Sequence, residues 1–194
     1  MEYKSRVWVM IIWAFIAVVA FSTTNCRGES LLEFIKLKEG FVSTPYSDGG
    51  STAVGYGCNL AWARKNGFRG SVMTQQQAEQ LLTKRLNEDR MKLSSILPGF
   101  DRFPNAVRIA IQSSYYNCPA TIGPRVQRFC RERNWEKLSR ELAYNYDPGN
   151  IIGLVNRHVS EANLIRKELG LSLLVTPTTI TQHKQVKRQW LSQG

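Results

Sequence analysis

Two carboxylates set the chemical question. Glu39 stands immediately before Gly40, and Asp48 follows nine residues later beside Gly49 and Gly50, within the stretch KLKEGFVSTPYSDGGSTAVGYGCN. Glycoside hydrolysis needs one carboxyl that protonates the departing sugar oxygen and another that positions water or stabilises positive charge at the sugar carbon. Gly40 has the residue type of a left-handed helix stop, so Glu39 is expected to close a helix. Helix C-termini carry partial negative charge, and Phe41 and Tyr46 supply apolar surroundings; both effects favour a protonated Glu39 near neutral pH. Asp48, on the rim of a glycine turn with water and backbone N–H donors at hand, is expected to stay ionised. A Glu at a helix end is most often only a solvated surface residue, and Asp-Gly-Gly most often only a turn. The pair therefore has to be judged by the elements that position it.

Those elements are legible in outline. Ser30 can cap a helix, with Glu33 three residues on to complete a capping box, and Leu31, Phe34, Ile35 and Leu37 give it an apolar face. Phe41 to Tyr46 and Thr52 to Tyr56, rich in aromatic and β-branched residues around Ser47-Asp48-Gly49-Gly50-Ser51, predict a β-hairpin. Thr74 with Gln77 opens a long helix in which Ala78, Leu81, Leu82, Leu86 and Met91 recur at helical spacing, stopped by Pro98-Gly99. Further helices are expected over 104–117, 124–133, 135–146 and 159–169. Residues 171–194, with Pro177, repeated Thr and the basic HKQVKRQW stretch, read as a flexible tail with at most a short helix.

The ends and the charge constrain the setting. Lys4 and Arg6 precede the apolar run VWVMIIWAFIAVVAF, which as a helix spans about 22 Å, or about 27 Å if extended through Thr24, against a hydrocarbon core of roughly 30 Å. Signal peptide and membrane anchor both fit, and the positive-inside bias sends the rest of the chain out of the cytoplasm. The organisation expected is therefore an export segment over 1–28, a catalytic domain over 29–170 and a basic tail over 171–194. A formal net charge of +11 draws the molecule to polyanions without choosing among nucleic acid, lipid and wall polymer; export leaves nucleic acid aside. The four cysteines, Cys26, Cys58, Cys118 and Cys130, are an even number in an oxidising compartment and allow three full pairings. No Cys-x2-Cys pair occurs and the only histidines, His158 and His183, lack ligand spacing, so no metal or other cofactor is expected.

Glu39-Gly40-x5-Tyr46-x-Asp48, followed by Thr52 and Gly55-Tyr56-Gly57, resembles the active-site region of tailed-phage lysozymes of glycoside hydrolase family 24, the phage endolysins. TQQQAEQLL is similar to the opening of the family's interlobe helix, SSYYNCPATIG to its central helix and turn, and GLVNRHVSEANLI to its C-terminal Gly-Leu-x-x-Arg-x3-Glu helix. The resemblance covers roughly residues 30–169. It implies an α+β, mainly helical, two-lobed lysozyme-like fold, with a small hairpin lobe joined to a helical lobe by a long helix. It also implies Glu39 as general acid, Asp48 as second carboxylate and Thr52 as the hydroxyl that places the attacking water. Tyr116, Asn117 and Asn59 become candidates for the cleft, with burial in the core as the alternative for Tyr116 and Asn117. Two departures stand out. Thr52 lies four residues after Asp48 and three before Gly55, where many members have six and two, so alternation along the strand could leave Ser51 or Ala53 at the family position. Cys58 stands where His is common, and fits a core residue, a disulfide partner or a regulatory thiol.

The resemblance extends to endolysins whose uncleaved anchor later leaves the bilayer. A Cys26–Cys58 bond that locks or permits the active geometry is then a hypothesis to be checked by mass-spectrometric cysteine mapping, with Cys118–Cys130 as the remaining pair. The expected activity is that of an exported monomeric muramidase, acting on peptidoglycan from the periplasm or the inner membrane and causing cell lysis. A lytic transglycosylase, which needs the Glu alone, and a membrane-tethered wall-binding or pore-forming protein are the alternatives.

Overall fold

The computed structural model describes residues 30–48, 50–145 and 151–193. The expected export segment, including Cys26, lies outside them, and no helix among the described residues is long and apolar enough to cross a membrane. Helix α1 (Leu31–Glu39) starts at Ser30, whose hydroxyl accepts the Glu33 N–H at 3.2 Å, and ends at Gly40 with φ 68°. A left-handed stop of this kind suits glycine because no Cβ has to be accommodated. Glu39 is thus the last helical residue, as the sequence predicts.

The chain then turns into β1 (Val42–Asp48) and β2 (Ser51–Gly55), paired antiparallel with Tyr46 opposite Ala53, Ser47 opposite Thr52 and Asp48 opposite Ser51. The hairpin runs to Asp48, so this carboxylate sits at a strand end. A third strand, β3 (Cys58–Asn59), pairs with β2 through Ala53–Asn59 and Val54–Cys58. Two residues are too few to show a period-2 pattern in sequence. Asn59 also caps α2 (Leu60–Lys65), its side chain accepting the Trp62 N–H at 3.1 Å.

Helix α3 (Gln75–Ile96) carries the capping box expected of Thr74 and Gln77. It is followed by α4 (Asn105–Asn117), α5 (Pro124–Arg131), α6 (Trp135–Tyr144) and α7 (Ile152–Glu168). Two hydrophobic cores result, and α3 contributes to both. Its first half, Ala78, Leu81, Leu82 and Leu86, packs under the sheet against Ile35 and Val54, whereas Leu93 joins Phe100, Ile111 and Leu138 among the helices. The long helix is therefore the shared wall of two lobes. Sequence spacing misplaced some of its outer face: Met91 is 67% exposed, and the buried position belongs to Asp89. Leu37 of α1, expected on the apolar face, is likewise exposed. Helix α7 begins seven residues before the expected start, because Gly153 within its first turn reads as a breaker.

The expected flexible tail is corrected. Residues Ile180–Ser192 form α8, capped by Thr179, and its Ile180, Val186 and Trp190 pack on the helical core while Lys184 and Arg188 face water. Charge dominated the sequence impression, yet three apolar residues at helical spacing suffice to dock a short helix. Trp190 Nε1 donates to the buried Glu141 Oε2 at 3.0 Å, which Arg125 Nε also reaches at 3.0 Å. Trp190→Phe keeps the bulk and removes that donor, so a loss of about 1–2 kcal/mol is expected. Thermal unfolding should fall by about 2–8 °C; an unmoved transition would mean that α8 is not anchored there.

Candidate active site

Glu39 projects from the end of α1 into the junction between the lobes, 19% exposed, and its Oε1 accepts from Arg157 Nη1 of α7 at 2.5 Å. Arg157 is itself held: its Nε donates to Glu161 Oε1, one turn along, at 3.2 Å. Glu161 is fully buried and takes two hydroxyls of α4, Ser113 at 2.5 Å and Ser114 at 2.7 Å, together with His158 Nδ1 at 3.0 Å. Burial works against the Glu161 charge, but the His158 hydrogen bond, the positive charge nearby and the Ser113 hydroxyl outweigh it and hold the carboxyl below its ordinary range. Burial likewise opposes the Arg157 charge, and its two carboxylate neighbours overcome it. The Arg-x3-Glu spacing was visible in GLVNRHVSEANLI. The partner at Glu39, far away in sequence, was not.

The other oxygen of Glu39 is left to the sheet side. A Cβ added at Gly57 would sit 3.0 Å from Glu39 Oε2, and Gly57 has φ +76°. Glycine here does two things: it adopts a left-handed conformation and lets backbone lie directly over the carboxyl. Gly57→Ala should push Oε2 aside, with lytic rate falling roughly 10- to 100-fold. The melting temperature should drop by only about 2–4 °C per kcal/mol of backbone strain. Turbidity assays beside thermal melts separate the two effects.

Asp48 is exposed at the end of β1. Tyr46, two residues earlier and so on the same face, connects the carboxylates electrostatically. Its phenol is pushed up first by burial and then by the negative charges of Asp48 and Glu39, so both carboxylates lie within electrostatic reach of one hydroxyl. Thr52 does not join them. Opposite Ser47 in the register, it lies on the other face from Tyr46 and Asp48, and the hydroxyl directly across from Asp48 is Ser51. Ser51 Oγ donates to the Asp48 carbonyl at 3.0 Å. The shortened hairpin is the reason: with Gly55 three residues beyond Thr52 instead of two, the parity of Thr52 along β2 changes.

Tyr116 reaches across from α4, its hydroxyl donating to the Tyr56 carbonyl at 2.6 Å and lying 3.7 Å from Cys58 Sγ. It packs against the small-lobe core, so the core alternative holds for part of its ring while its edge lines a cavity with Cys58 and Asn59. Asn117, the last residue of α4, is half-buried and outside that cavity. The cysteines are corrected too. Among the described residues Cys58, Cys118 and Cys130 form no disulfide, so the expected Cys118–Cys130 bond is absent, whereas the Cys26 end of the Cys26–Cys58 hypothesis lies outside them; Cys130 points into the helical core from α5. Burial raises the Cys58 thiol and pushes Cys130 up to about 12, which keeps both protonated and poor in exchange.

A helix-borne Glu at the seam of a hairpin lobe and a helical lobe is the lysozyme layout. The family follows from a direct match: the family model for phage lysozyme fits residues 36–161, and the chain belongs to the phage lysozyme family of wall-lysing enzymes. Among solved structures, the fold is similar to that of the active form of P1 phage endolysin Lyz, with 19% sequence identity and a TM-score of 0.60. That likeness covers 80% of this chain and 94% of the other. No curated protein sequence matched.

Proposed function

We propose that the chain is an exported muramidase that hydrolyses the β-1,4 bond between N-acetylmuramic acid and N-acetylglucosamine in peptidoglycan. The observation that carries this reading is the clamping of Glu39: Arg157 occupies Oε1, leaving Oε2 beneath Gly57 as the oxygen that delivers a proton. Asp48, exposed at the end of β1, stands on the opposite side of the leaving bond and orients a water for attack on the sugar carbon. Ser51, on the face of Asp48, is the hydroxyl assigned to that water in place of Thr52. Export through the N-terminal apolar run puts the reaction in the periplasm or at the inner membrane, and the +11 net charge favours the anionic wall.

Product analysis tests the reading against its nearest rival. Digestion of purified peptidoglycan should release muropeptides with free reducing ends, and Asp48→Asn should slow release about a hundredfold. Anhydro-muramyl products with Asp48→Asn fully active would make the protein a lytic transglycosylase. Intact binding with no release at all would make it a wall-binding protein.

A further inference from the structure

Beside the carboxylates lies a cavity of about 110 Å³ that the acid–base pair does not use, lined by Gly57, Cys58, Asn59, Trp62, Arg85 and Tyr116. It has room for a few water-sized groups, enough for a substituent of a sugar though not for the ring. Its one cation is built in. Arg85, on α3, donates through Nε to Asp89 Oδ2 at 3.0 Å, and the Asp89 side chain is fully buried one turn along the helix. Burial pushes the Asp89 carboxyl above its ordinary value against the pull of Arg85, so this partner orients the guanidinium without saturating it. The Arg85 Cζ lies 5.9 Å from the Trp62 ring centroid, and Trp62 is itself fixed by its Nε1 donating to Glu88 Oε2 at 3.2 Å. With Nε engaged, the two Nη groups of Arg85 have no hydrogen-bond partner among the described residues.

A planar guanidinium fork with two free donors, held by a third contact and backed by an indole, matches a carboxylate in geometry and charge. The cavity also adjoins the reacting centre, since Gly57 both lines it and covers Glu39 Oε2. Wall glycan carries carboxylates on one of its two sugars only, on the lactyl arm of muramic acid or the peptide attached to it. We propose that this cavity is a carboxylate subsite in which Arg85 grips the acidic arm of a muramyl residue, with Trp62 against its flank, so that the strand is seated in one register over Glu39. The assignment rests on the wall-glycan reading above and adds to it what distinguishes the two sugars.

The test is binding, kept apart from cleavage by working in the full chain carrying Glu39→Gln. Affinity is measured calorimetrically for peptide-free glycan fragments with free lactyl carboxylates and for the same fragments converted to neutral methylamides. The carboxylate form should bind about tenfold more tightly. Arg85→Gln should remove that preference by weakening the carboxylate form alone. Because Arg85→Gln strands the buried Asp89, Arg85→Gln/Asp89→Asn is measured beside it, with thermal melts to confirm folding. An unchanged affinity ratio in the folded variants, or no binding of either fragment, overturns the proposal. Peptide-bearing fragments tell the source: retained preference places the carboxylate on the peptide, lost preference on the lactyl arm. Cleavage with Glu39 intact is scored separately, so that carboxylate preference without hydrolysis sinks the muramidase reading and leaves the subsite standing.

Discussion

Glu39→Gln should abolish measurable lysis, lowering the rate about 10²- to 10⁴-fold, while the protein folds normally. The amide is isosteric and can still accept from Arg157 through its oxygen, so the clamp on α7 survives in shape. What disappears is the titratable proton on the oxygen beneath Gly57. A sugar alkoxide is too basic to leave unaided, and the remaining side chains on that face, Tyr46 above all, are pushed towards higher pKa by burial and by the two carboxylates; none replaces the lost acid. Turbidity loss of permeabilised Gram-negative cells, with circular dichroism to verify folding, is the measurement. Retention of even a tenth of the wild-type rate would mean that the proton comes from elsewhere.

Glu161→Gln should produce the largest loss of stability. Glu161 accepts from Arg157, Ser113, Ser114 and His158 in a fully buried position. Removing one member of a buried ion pair typically costs about 3–5 kcal/mol, because the surviving charge loses compensation; here Arg157 is left with Glu39 as its only carboxylate partner among the described residues. Melting should fall by about 6–20 °C. The sign of the pH dependence follows from the lowered pKa. Unfolded, Glu161 titrates near its ordinary 4.5; folded, it titrates lower. Its contribution is therefore complete above about pH 4.5 and is lost as pH falls through the folded value. Melts between about pH 7 and pH 3 should show the gap between wild type and Glu161→Gln closing only on the acid side. A gap independent of pH would assign the effect to packing.

The two predictions differ in how far sequence could reach them. Glu39 was legible because local rules decide its place: a capping serine starts α1, and a glycine with positive φ ends it. The capping box of α3 was legible for the same reason. Thr52 could not be placed, since its face depends on hairpin register, and one residue in the turn reverses it. The third strand and α2 are too short to carry a period. Arg157 stood in a quoted motif, but nothing local tells that a guanidinium at 157 meets a carboxylate at 39. Helix α8 was hidden by its charge, with the docking residues Val186 and Trp190 spaced among lysines and glutamines.

The span of that one ion pair, 118 residues, has a bearing on synthesis. A chain still on the ribosome has made Glu39 long before it has made the arginine that grips it, and any product cut short before α7 carries the carboxyl without the clasp.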